Sequence, residues 1–390
     1  MIRLAKAMHR LGTETAFEVL LKARQLEAQG REVVHLEIGE PDFDTPAHIV
    51  EAAVEALRRG ETHYTPSAGI PALREAIAAY VARTRGIPVD PEQVVVVPGG
   101  KPIIFFTILS LCEPGDEVIY PNPGFPIYES MIRFVGAKPV PIPLRMERDF
   151  RLDVDQLADL LSPRTKLVIL NSPHNPTGGV LGPEDLRAIA EAVQRTDAMV
   201  LSDEIYSRIV YEGTFHSIAS VPGMAERTVI LDGFSKTYAM TGWRLGYGVM
   251  PRELAPHITR LMTNSNSCTA SFVQHAGIAA LQGDQTPVDR MVAAFRERRD
   301  VVVRGLQEVP GFRCTWPAGA FYAFPNIEGT GLTAHQMQEY LLEEAGVATL
   351  AGTSFGQFGE GFIRLSYANS VENLRKGLER IREAVARLAR

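Results

Sequence analysis

Apolar residues along the chain form short unbroken runs rich in Val and Ile, and longer segments with helical periodicity lie between them. The predicted strands are residues 94–97, 117–120, 166–171, 199–203, 228–232 and 246–249, and the predicted helices between them are 47–59, 72–85, 102–111, 184–195 and 253–263. This alternation is typical of a mostly parallel sheet flanked by helices. Thr45 is predicted to cap the first helix, with Pro46 in its first turn.

The pattern changes after residue 283, where a long charged helix at 289–308 is followed by a short strand at 321–324 and by helices at 333–345 and 371–388. These elements predict a smaller α+β domain at 286–390, after a large domain at 46–285, with the hinge at 282–287. Residues 1–45 are too short to fold alone. We therefore expect them to pack on the small domain or on a partner subunit.

Composition and charge narrow the classes of function. The chain has 40 basic and 46 acidic side chains and a net charge of -6, so electrostatics favour neither nucleic acid nor an anionic membrane as a partner. The most apolar stretch, 103–112, is shorter than the roughly 18 residues that a membrane-spanning helix needs. The cysteines and histidines lack metal-site spacing, so no metal is expected, and the cysteine usage indicates a reduced, cytoplasmic location.

Polar residues follow four of the predicted strands, at 98–102, 171–178, 202–206 and 233–237. Ligands of open α/β sheets bind beyond the carboxyl ends of the strands, so these segments are candidates for a site. Taken singly, each has a simpler interpretation: the first two are ordinary turn sequences, and Asp203 suits a helix cap or a structural ion pair. The first segment is not a P-loop, because Pro102 replaces the Ser or Thr that would bind magnesium.

Together the segments indicate one kind of ligand. Lys236 can form a Schiff base. Asp203 ends an apolar strand, so its carboxylate is expected to be buried and to need a cationic partner. Gly100 opens a helix, where amide groups bind anions, and Arg244 is suited to a phosphate. A lysine, a carboxylate and a phosphate seat are the complement of pyridoxal 5'-phosphate (PLP).

At this point the chain resembles, essentially from end to end, the class I/II aminotransferases of PLP fold type I, of the aspartate and aromatic amino-acid aminotransferase kind. The matching motifs are LEIGEPDF at 36–43, NSPHNPTG at 171–178, Ser235-Lys236, and FIRLS at 362–366. The resemblance implies an α/β fold with a large, mostly parallel sheet and a smaller C-terminal α+β domain. Two departures are Gly100, where relatives often have Ala, and Phe125, where they often have Trp or Tyr.

The resemblance also assigns roles to residues. It implies that Lys236 bonds covalently to the cofactor, that Asp203 keeps the ring nitrogen protonated, and that Tyr206 assists catalysis by bonding the phenolic oxygen together with Asn175. The other implied cofactor contacts are the phosphate ligands Gly100, Lys101, Ser235 and Arg244, the stacking ring of Phe125, and Tyr64 from a neighbouring subunit. Arg364 is expected to bind the substrate carboxylate, assisted by Asn175 and Gly39. His174 is expected to be positional.

The implied function is transfer of the α-amino group of an L-amino acid to a 2-oxo acid, with 2-oxoglutarate as the expected acceptor, by a ping-pong mechanism in a homodimer with shared sites. One alternative is a PLP-dependent β-lyase of the same fold. Another is a PLP-binding regulator without turnover, although no helix-turn-helix pattern precedes the fold. Thr15, Phe17 and residues 264–270 are candidate walls for the substrate side chain, but the cation that a dicarboxylate substrate needs is not identified.

Overall fold

The computed structural model describes residues 2–388. Its strands, numbered along the chain, are β1 (Val34–His35), β2 (Val94–Val97), β3 (Glu117–Asn122), β4 (Lys138–Pro143), β5 (Thr165–Asn171), β6 (Met199–Asp203), β7 (Thr228–Gly233), β8 (Gly246–Val249), β9 (Tyr322–Ala323), β10 (Val347–Ala348), β11 (Leu350–Ala351) and β12 (Ile363–Ser366). Its α-helices are α1 (Ala16–Ala28), α2 (Ala47–Arg58), α3 (Pro71–Arg85), α4 (Lys101–Leu111), α5 (Ile127–Val135), α6 (Val154–Leu160), α7 (Pro183–Val193), α8 (Ala255–Asn266), α9 (Ser271–Gln282), α10 (Thr286–Gln307), α11 (Ala334–Tyr340) and α12 (Val371–Leu388).

The large sheet has the strand order β2-β8-β7-β6-β5-β3-β4. Its neighbouring strands are parallel except at β8, which is antiparallel to both β2 and β7, so the predicted mostly parallel sheet is confirmed. Both faces are covered. Val94 and Val96 of β2 pack into one apolar cluster with α3 and α9, whereas Val95 and Val97 pack into another with α4 and α8. Alternate residues of a strand point to opposite faces, so a strand covered on both sides is apolar throughout.

All six predicted strands of this sheet are present, and the prediction missed β4. This strand contains Pro139, Pro141 and Pro143, and proline normally argues against a strand because it cannot donate to the ladder. The position of β4 explains the tolerance, since it lies at the edge of the sheet and pairs with β3 alone. The sequence of this segment alone does not show that it pairs with a neighbouring strand on only one side.

The predicted cap of α2 is wrong. Pro46 occupies the capping position, and the Thr45 hydroxyl instead donates to the carbonyl oxygen of Ala239 at 2.6 Å. The same hydroxyl accepts a hydrogen bond of 2.9 Å from the indole nitrogen of Trp243. These partners lie almost two hundred residues away in the sequence, so a tertiary contact has replaced the local one.

The C-terminal elements form a separate antiparallel sheet, in the order β11-β12-β9, packed with α10 and α12. The predicted helix 333–345 is α11 followed by one segment of π-helix at Leu341–Ala345. β1 pairs in parallel with β10, joining Val34 to Val347. The N-terminal segment therefore contacts the C-terminal elements within this chain, while the domain boundaries remain predictions.

A buried ion-pair network supports the carboxyl ends of β6 and β7. The Arg85 side chain is 1% exposed and donates to Glu204 at 2.9 Å and to Asp232 at 2.6 Å. Ser202 and Ser217 donate to the same Glu204 carboxylate, at 2.9 and 2.5 Å. The charges of two buried carboxylates are therefore compensated by the same buried guanidinium.

Replacement of Arg85 by methionine is expected to lower the free energy of unfolding by about 3–5 kcal/mol, because it leaves two buried carboxylates without a cation. The measurement is urea unfolding of the purified protein. Arg83→Met is the matched control, since Arg83 lies on the same helix but is exposed. Equal unfolding midpoints for the two variants would contradict the importance of the network.

Candidate active site

A cavity of about 470 Å³ lies at the carboxyl ends of the central strands, within the size range of small-molecule sites. It contains all of the predicted site residues except one. Those lining it are Gly39, Gly100, Lys101, Phe125, Asn175, Asp203, Tyr206, Ser235, Lys236, Arg244 and Arg364. Residues widely separated in the sequence therefore meet in one place, as the parallel sheet requires.

Lys236 follows β7 and projects from the cavity wall. Its amine donates to the carbonyl oxygen of Gly39 at 2.5 Å. Burial lowers the pKa of Lys236 to about 8, and the positive charges of Arg364 and Arg244 act in the same direction. Because only the neutral amine is nucleophilic, this shift prepares Lys236 to attack a carbonyl carbon near neutral pH.

Asp203 is the last residue of β6 and is 4% exposed. Its Oδ2 accepts a hydrogen bond of 2.6 Å from the hydroxyl of Tyr128, and its Oδ1 accepts one of 3.3 Å from the amide of Ile205. Burial raises the pKa of Asp203 to about 6, against the lowering effect of these bonds. No basic side chain within residues 2–388 forms a salt bridge with it. This carboxylate lacks the cation that a buried charge needs.

Two tyrosines that the sequence analysis missed complete this part of the site. Tyr128, in the first turn of α5, is fully buried. Its ring meets the edge of Phe125 with the centroids 5.8 Å apart. Tyr322 shares a hydrogen bond of 2.7 Å between its hydroxyl and that of Tyr206. A Cβ at Gly39 would overlap the Tyr322 hydroxyl, so glycine is required there.

Arg364, in β12, is 4% exposed and is held from several sides. It donates to Oδ1 of Asn175 at 3.0 Å and to the carbonyl oxygen of Glu37 at 2.5 Å. Its guanidinium carbon lies 4.5 and 4.8 Å from the ring centroids of Tyr322 and Phe355. Among the described residues, its Nε has no hydrogen-bond partner. A guanidinium that is fixed in position and lines the cavity is suited to a carboxylate.

A second group of cavity-lining residues can hold an anion. Gly100 is the N-cap residue of α4 and lines the cavity. The unpaired amide groups in the first turn of α4 therefore lie at the cavity. Arg244 is fixed by a hydrogen bond of 2.7 Å to the carbonyl oxygen of Thr241. Gly99 has φ of 84°, and a Cβ there would overlap the Arg244 guanidinium. Ser235 also lines the cavity. Backbone amides, a hydroxyl and a guanidinium are therefore available to bind a phosphate.

Of the other predicted residues, some line this cavity and some do not. Tyr64 is 89% exposed and does not line it. Thr15 and Phe17 do line it, but residues of the 264–270 segment line a separate pocket. His174 is buried, its Nδ1 lies 2.8 Å from the Thr177 hydroxyl, and burial lowers its pKa to about 3. A neutral histidine behind the cavity is consistent with a positional role.

The part of the chain that the structure describes contains no group of three or more His, Cys, Asp or Glu side chains arranged to hold a metal ion. No helix in residues 2–388 combines the length and the apolar composition needed to cross a membrane. Cys112, Cys268 and Cys314 are free thiols.

Comparison with known proteins decides the family. The model of the family described as aminotransferase class I and II matches residues 31–381. The chain belongs to this family. This aminotransferase is 42% identical over 370 residues to the aspartate aminotransferase of Pyrococcus horikoshii, covering 94% of this chain and 93% of the relative. It is 41% identical over 363 residues to aromatic-amino-acid aminotransferase 2 of Thermococcus litoralis, covering 92% and 93% of the two chains.

The structural comparison agrees. The aminotransferase matches the aspartate aminotransferase from Thermus thermophilus with maleate at a TM-score of 0.95 and 38% identity, covering 98% of this chain and 100% of the other. The predicted family and PLP fold type I are therefore confirmed, as is the prediction that the chain is an enzyme. It transfers amino groups between amino acids and oxo acids.

Proposed function

We propose that this aminotransferase binds PLP in the cavity and uses it to transfer the α-amino group of an L-amino acid to a 2-oxo acid. One observation carries the proposal: a buried carboxyl without a cation, Asp203, and an amine of lowered pKa, Lys236, line the same cavity. A protonated pyridine nitrogen would supply the missing cation, and the amine suits a Schiff base. The anion seat at Gly100 and Arg244 supports the phosphate end.

When bound, PLP supplies a carbonyl carbon for amines and a ring that accepts the electron pair left when a bond to the substrate Cα breaks. The chain's residues make that chemistry selective. Asp203 keeps the ring nitrogen charged, and Tyr128 holds the carboxylate in place through its hydrogen bond of 2.6 Å. Asn175 and Tyr206 are proposed to bond the phenolic oxygen, with Phe125 against the ring. Ser235 and the amides of Gly100 and Lys101 are proposed to bind the phosphate.

Lys236 is proposed to move the proton. Its amine, with a pKa of about 8 in the cavity, would both take up and release a proton around neutral pH. Amino-group transfer requires that the α proton leave the substrate Cα for another carbon rather than return to it, and Lys236 would carry that proton.

Arg364 is proposed to bind the substrate α-carboxylate through its guanidinium, with Asn175 and the backbone of Gly39 beside it. A carboxylate held in this way cannot rotate. The Cα–H bond is then the one presented for cleavage, so deprotonation is favoured over decarboxylation.

The test of this function is product analysis with the cofactor-loaded enzyme and a panel of L-amino acids. We expect each donor alone to yield no more than one equivalent of oxo acid per site, and continuous turnover only when 2-oxoglutarate is added, with L-glutamate accumulating. A β-substituted amino acid that yields pyruvate and ammonia continuously without an oxo acid would instead favour the lyase alternative. Binding without turnover of any donor would favour a regulator.

We further propose a cytoplasmic homodimer with shared sites, built from domains 46–285 and 286–390. The three free thiols support a reducing location. Tyr64, at 89% exposure, is available to a partner's phosphate site. The exposed apolar side chains of Leu4 and Leu21, at 57% and 60%, support burial of the N-terminal segment against another subunit.

A further inference from the structure

Tyr322 lines the cavity, yet the proposed function gives it no role. The residue lies in β9 and is 1% exposed. β9 is antiparallel to β12, with Tyr322 opposite Ser366, and residues two apart in a strand share one face of a sheet. The register therefore places Tyr322 on the same face of the C-terminal sheet as Arg364, diagonally across from it.

Tyr322 contacts two residues that have proposed roles. Its ring centroid lies 4.5 Å from the guanidinium carbon of Arg364, and its hydroxyl oxygen lies 2.7 Å from that of Tyr206. Tyr206 follows β6 of the large sheet and is 3% exposed. One side chain of the C-terminal sheet therefore joins the group proposed to bind the substrate carboxylate to a group proposed to bind the phenolic oxygen of PLP.

The hydrogen bond between the two tyrosines can run in either direction, since each hydroxyl can donate or accept. Burial raises the pKa of Tyr206 and that of Tyr322, so both hydroxyls keep their hydrogens. Among residues 2–388, neither hydroxyl has another hydrogen-bond partner. The hydroxyl that accepts this bond keeps its own hydrogen for a third group.

The proposed contact of Tyr206 with the cofactor requires one of these directions. An ionised phenolic oxygen only accepts hydrogen bonds, so Tyr206 has to donate its hydrogen to that oxygen. The Tyr206 oxygen is then left to accept, and Tyr322 is the donor that faces it. A hydroxyl that accepts one hydrogen bond donates more strongly in another, so the relay strengthens the bond to the cofactor.

We propose that Tyr322 is a positioning residue whose hydroxyl donates to Tyr206 and thereby directs the Tyr206 hydrogen to the phenolic oxygen of PLP, while its ring holds Arg364. This inference rests on the proposed function. It also gives a reason for Gly39, because a Cβ there would occupy the place of the Tyr322 hydroxyl. Recognition of the cofactor ring and of the substrate carboxylate thus share one side chain.

The first test is a pH titration of the absorbance of the cofactor-loaded enzyme without substrate. Hydrogen bonds to the ionised phenolic oxygen favour that form, so they lower the apparent pKa of the bound cofactor. Tyr322→Phe keeps the ring and loses the hydroxyl, and we expect its apparent pKa to be about half a unit higher than that of the wild type. Tyr322→Leu also lacks the hydroxyl and should show the same rise.

Tyr340→Phe is the matched control for this titration. It loses a hydroxyl that donates to the carbonyl oxygen of Ala384 at 2.9 Å, and Tyr340 does not line the cavity. Its apparent pKa should equal that of the wild type. A double variant separates the relay from a packing effect: in a Tyr206→Phe background, Tyr322→Phe should leave the apparent pKa unchanged, because the hydroxyl through which it acts is absent.

The second test measures carboxylate binding without turnover, by calorimetry of the cofactor-loaded enzyme with butyrate. Tyr322→Leu is expected to bind butyrate about fivefold more weakly than the wild type, because Arg364 loses the aromatic face that holds it. Tyr322→Phe retains that face and should bind butyrate as the wild type does. The two variants therefore distinguish the part of the hydroxyl from the part of the ring.

Three results would overturn the inference. They are an unchanged apparent pKa in Tyr322→Phe, a rise of equal size in the Tyr206→Phe background, and equal binding of butyrate by the wild type and Tyr322→Leu. A wild type that shows no cofactor absorbance after incubation with PLP would refute the proposed function instead.

Discussion

Substitution of Lys236 by alanine is expected to lower multiple-turnover transamination by roughly 10⁴-fold, the upper end of the effect of a general acid–base group. The variant would lose the amine that is proposed both to anchor the cofactor and to move the α proton. The rest of the cavity stays intact, because the Lys236 amine has a single hydrogen bond there, to the carbonyl oxygen of Gly39. The measurement is steady-state formation of oxo acid from an amino donor and 2-oxoglutarate.

Lys166→Ala is the matched control for this experiment, since Lys166 is exposed on β5 and should be dispensable. The wild-type protein allows a second check. Freed of cofactor, it should react with added PLP at a rate that rises with pH up to about 8 and then levels off, because the neutral amine predominates above its pKa. Substantial multiple turnover by Lys236→Ala would disprove the assignment of this lysine.

Substitution of Asp203 by asparagine is expected to reduce kcat/KM by roughly 10³-fold, because a neutral partner no longer keeps the ring nitrogen protonated. Asparagine is close in shape to aspartate and can still accept a hydrogen bond from Tyr128. The loss of kcat/KM would therefore measure the effect of the Asp203 charge rather than an effect on packing. Asp159→Asn, at an exposed aspartate, is the control and should leave kcat/KM unchanged.

The same variant has an opposite effect on stability. The folded-state pKa of Asp203, about 6, lies above its usual value of 3.8, so the carboxyl stabilises the fold when protonated and loses that contribution as the pH rises through 6. At pH 7.5 Asp203→Asn should stabilise the cofactor-free protein by at most about 3 kcal/mol relative to the wild type. The difference should shrink toward pH 4. Thermal unfolding at both pH values measures it. A variant that keeps full activity, or that is less stable at pH 7.5, would contradict the account of Asp203.

Sequence reasoning succeeded where one residue type and its neighbours in the chain carried the information. The six predicted strands of the large sheet are readable because helices cover both faces of the sheet and favour apolar runs in its strands. The glycines at 99–100 and the Ser235-Lys236 pair come soon after such strands in the sequence. The eleven predicted residues that share the cavity were therefore identifiable as candidates before folding, although their roles remain predictions.

Prediction failed where the deciding contact joined distant parts of the chain. Threonine is a residue type that often caps helices, but the Thr45 hydroxyl donates to the carbonyl oxygen of Ala239 instead. Tyr128 is one of several aromatic residues near Phe125, and only the tertiary structure brings its hydroxyl to Asp203. Tyr322 reaches Tyr206 across 116 residues of sequence.

The sequence by itself therefore determined the fold class, the family and the candidate residues, because apolar period and motif order are local properties of the chain. Only the tertiary structure decided which charges face each other. It left Asp203 without a cation and joined Lys101 to Glu14, 87 residues apart. Electrostatic pairing acts through distance in space rather than along the backbone, so these contacts depend on the fold.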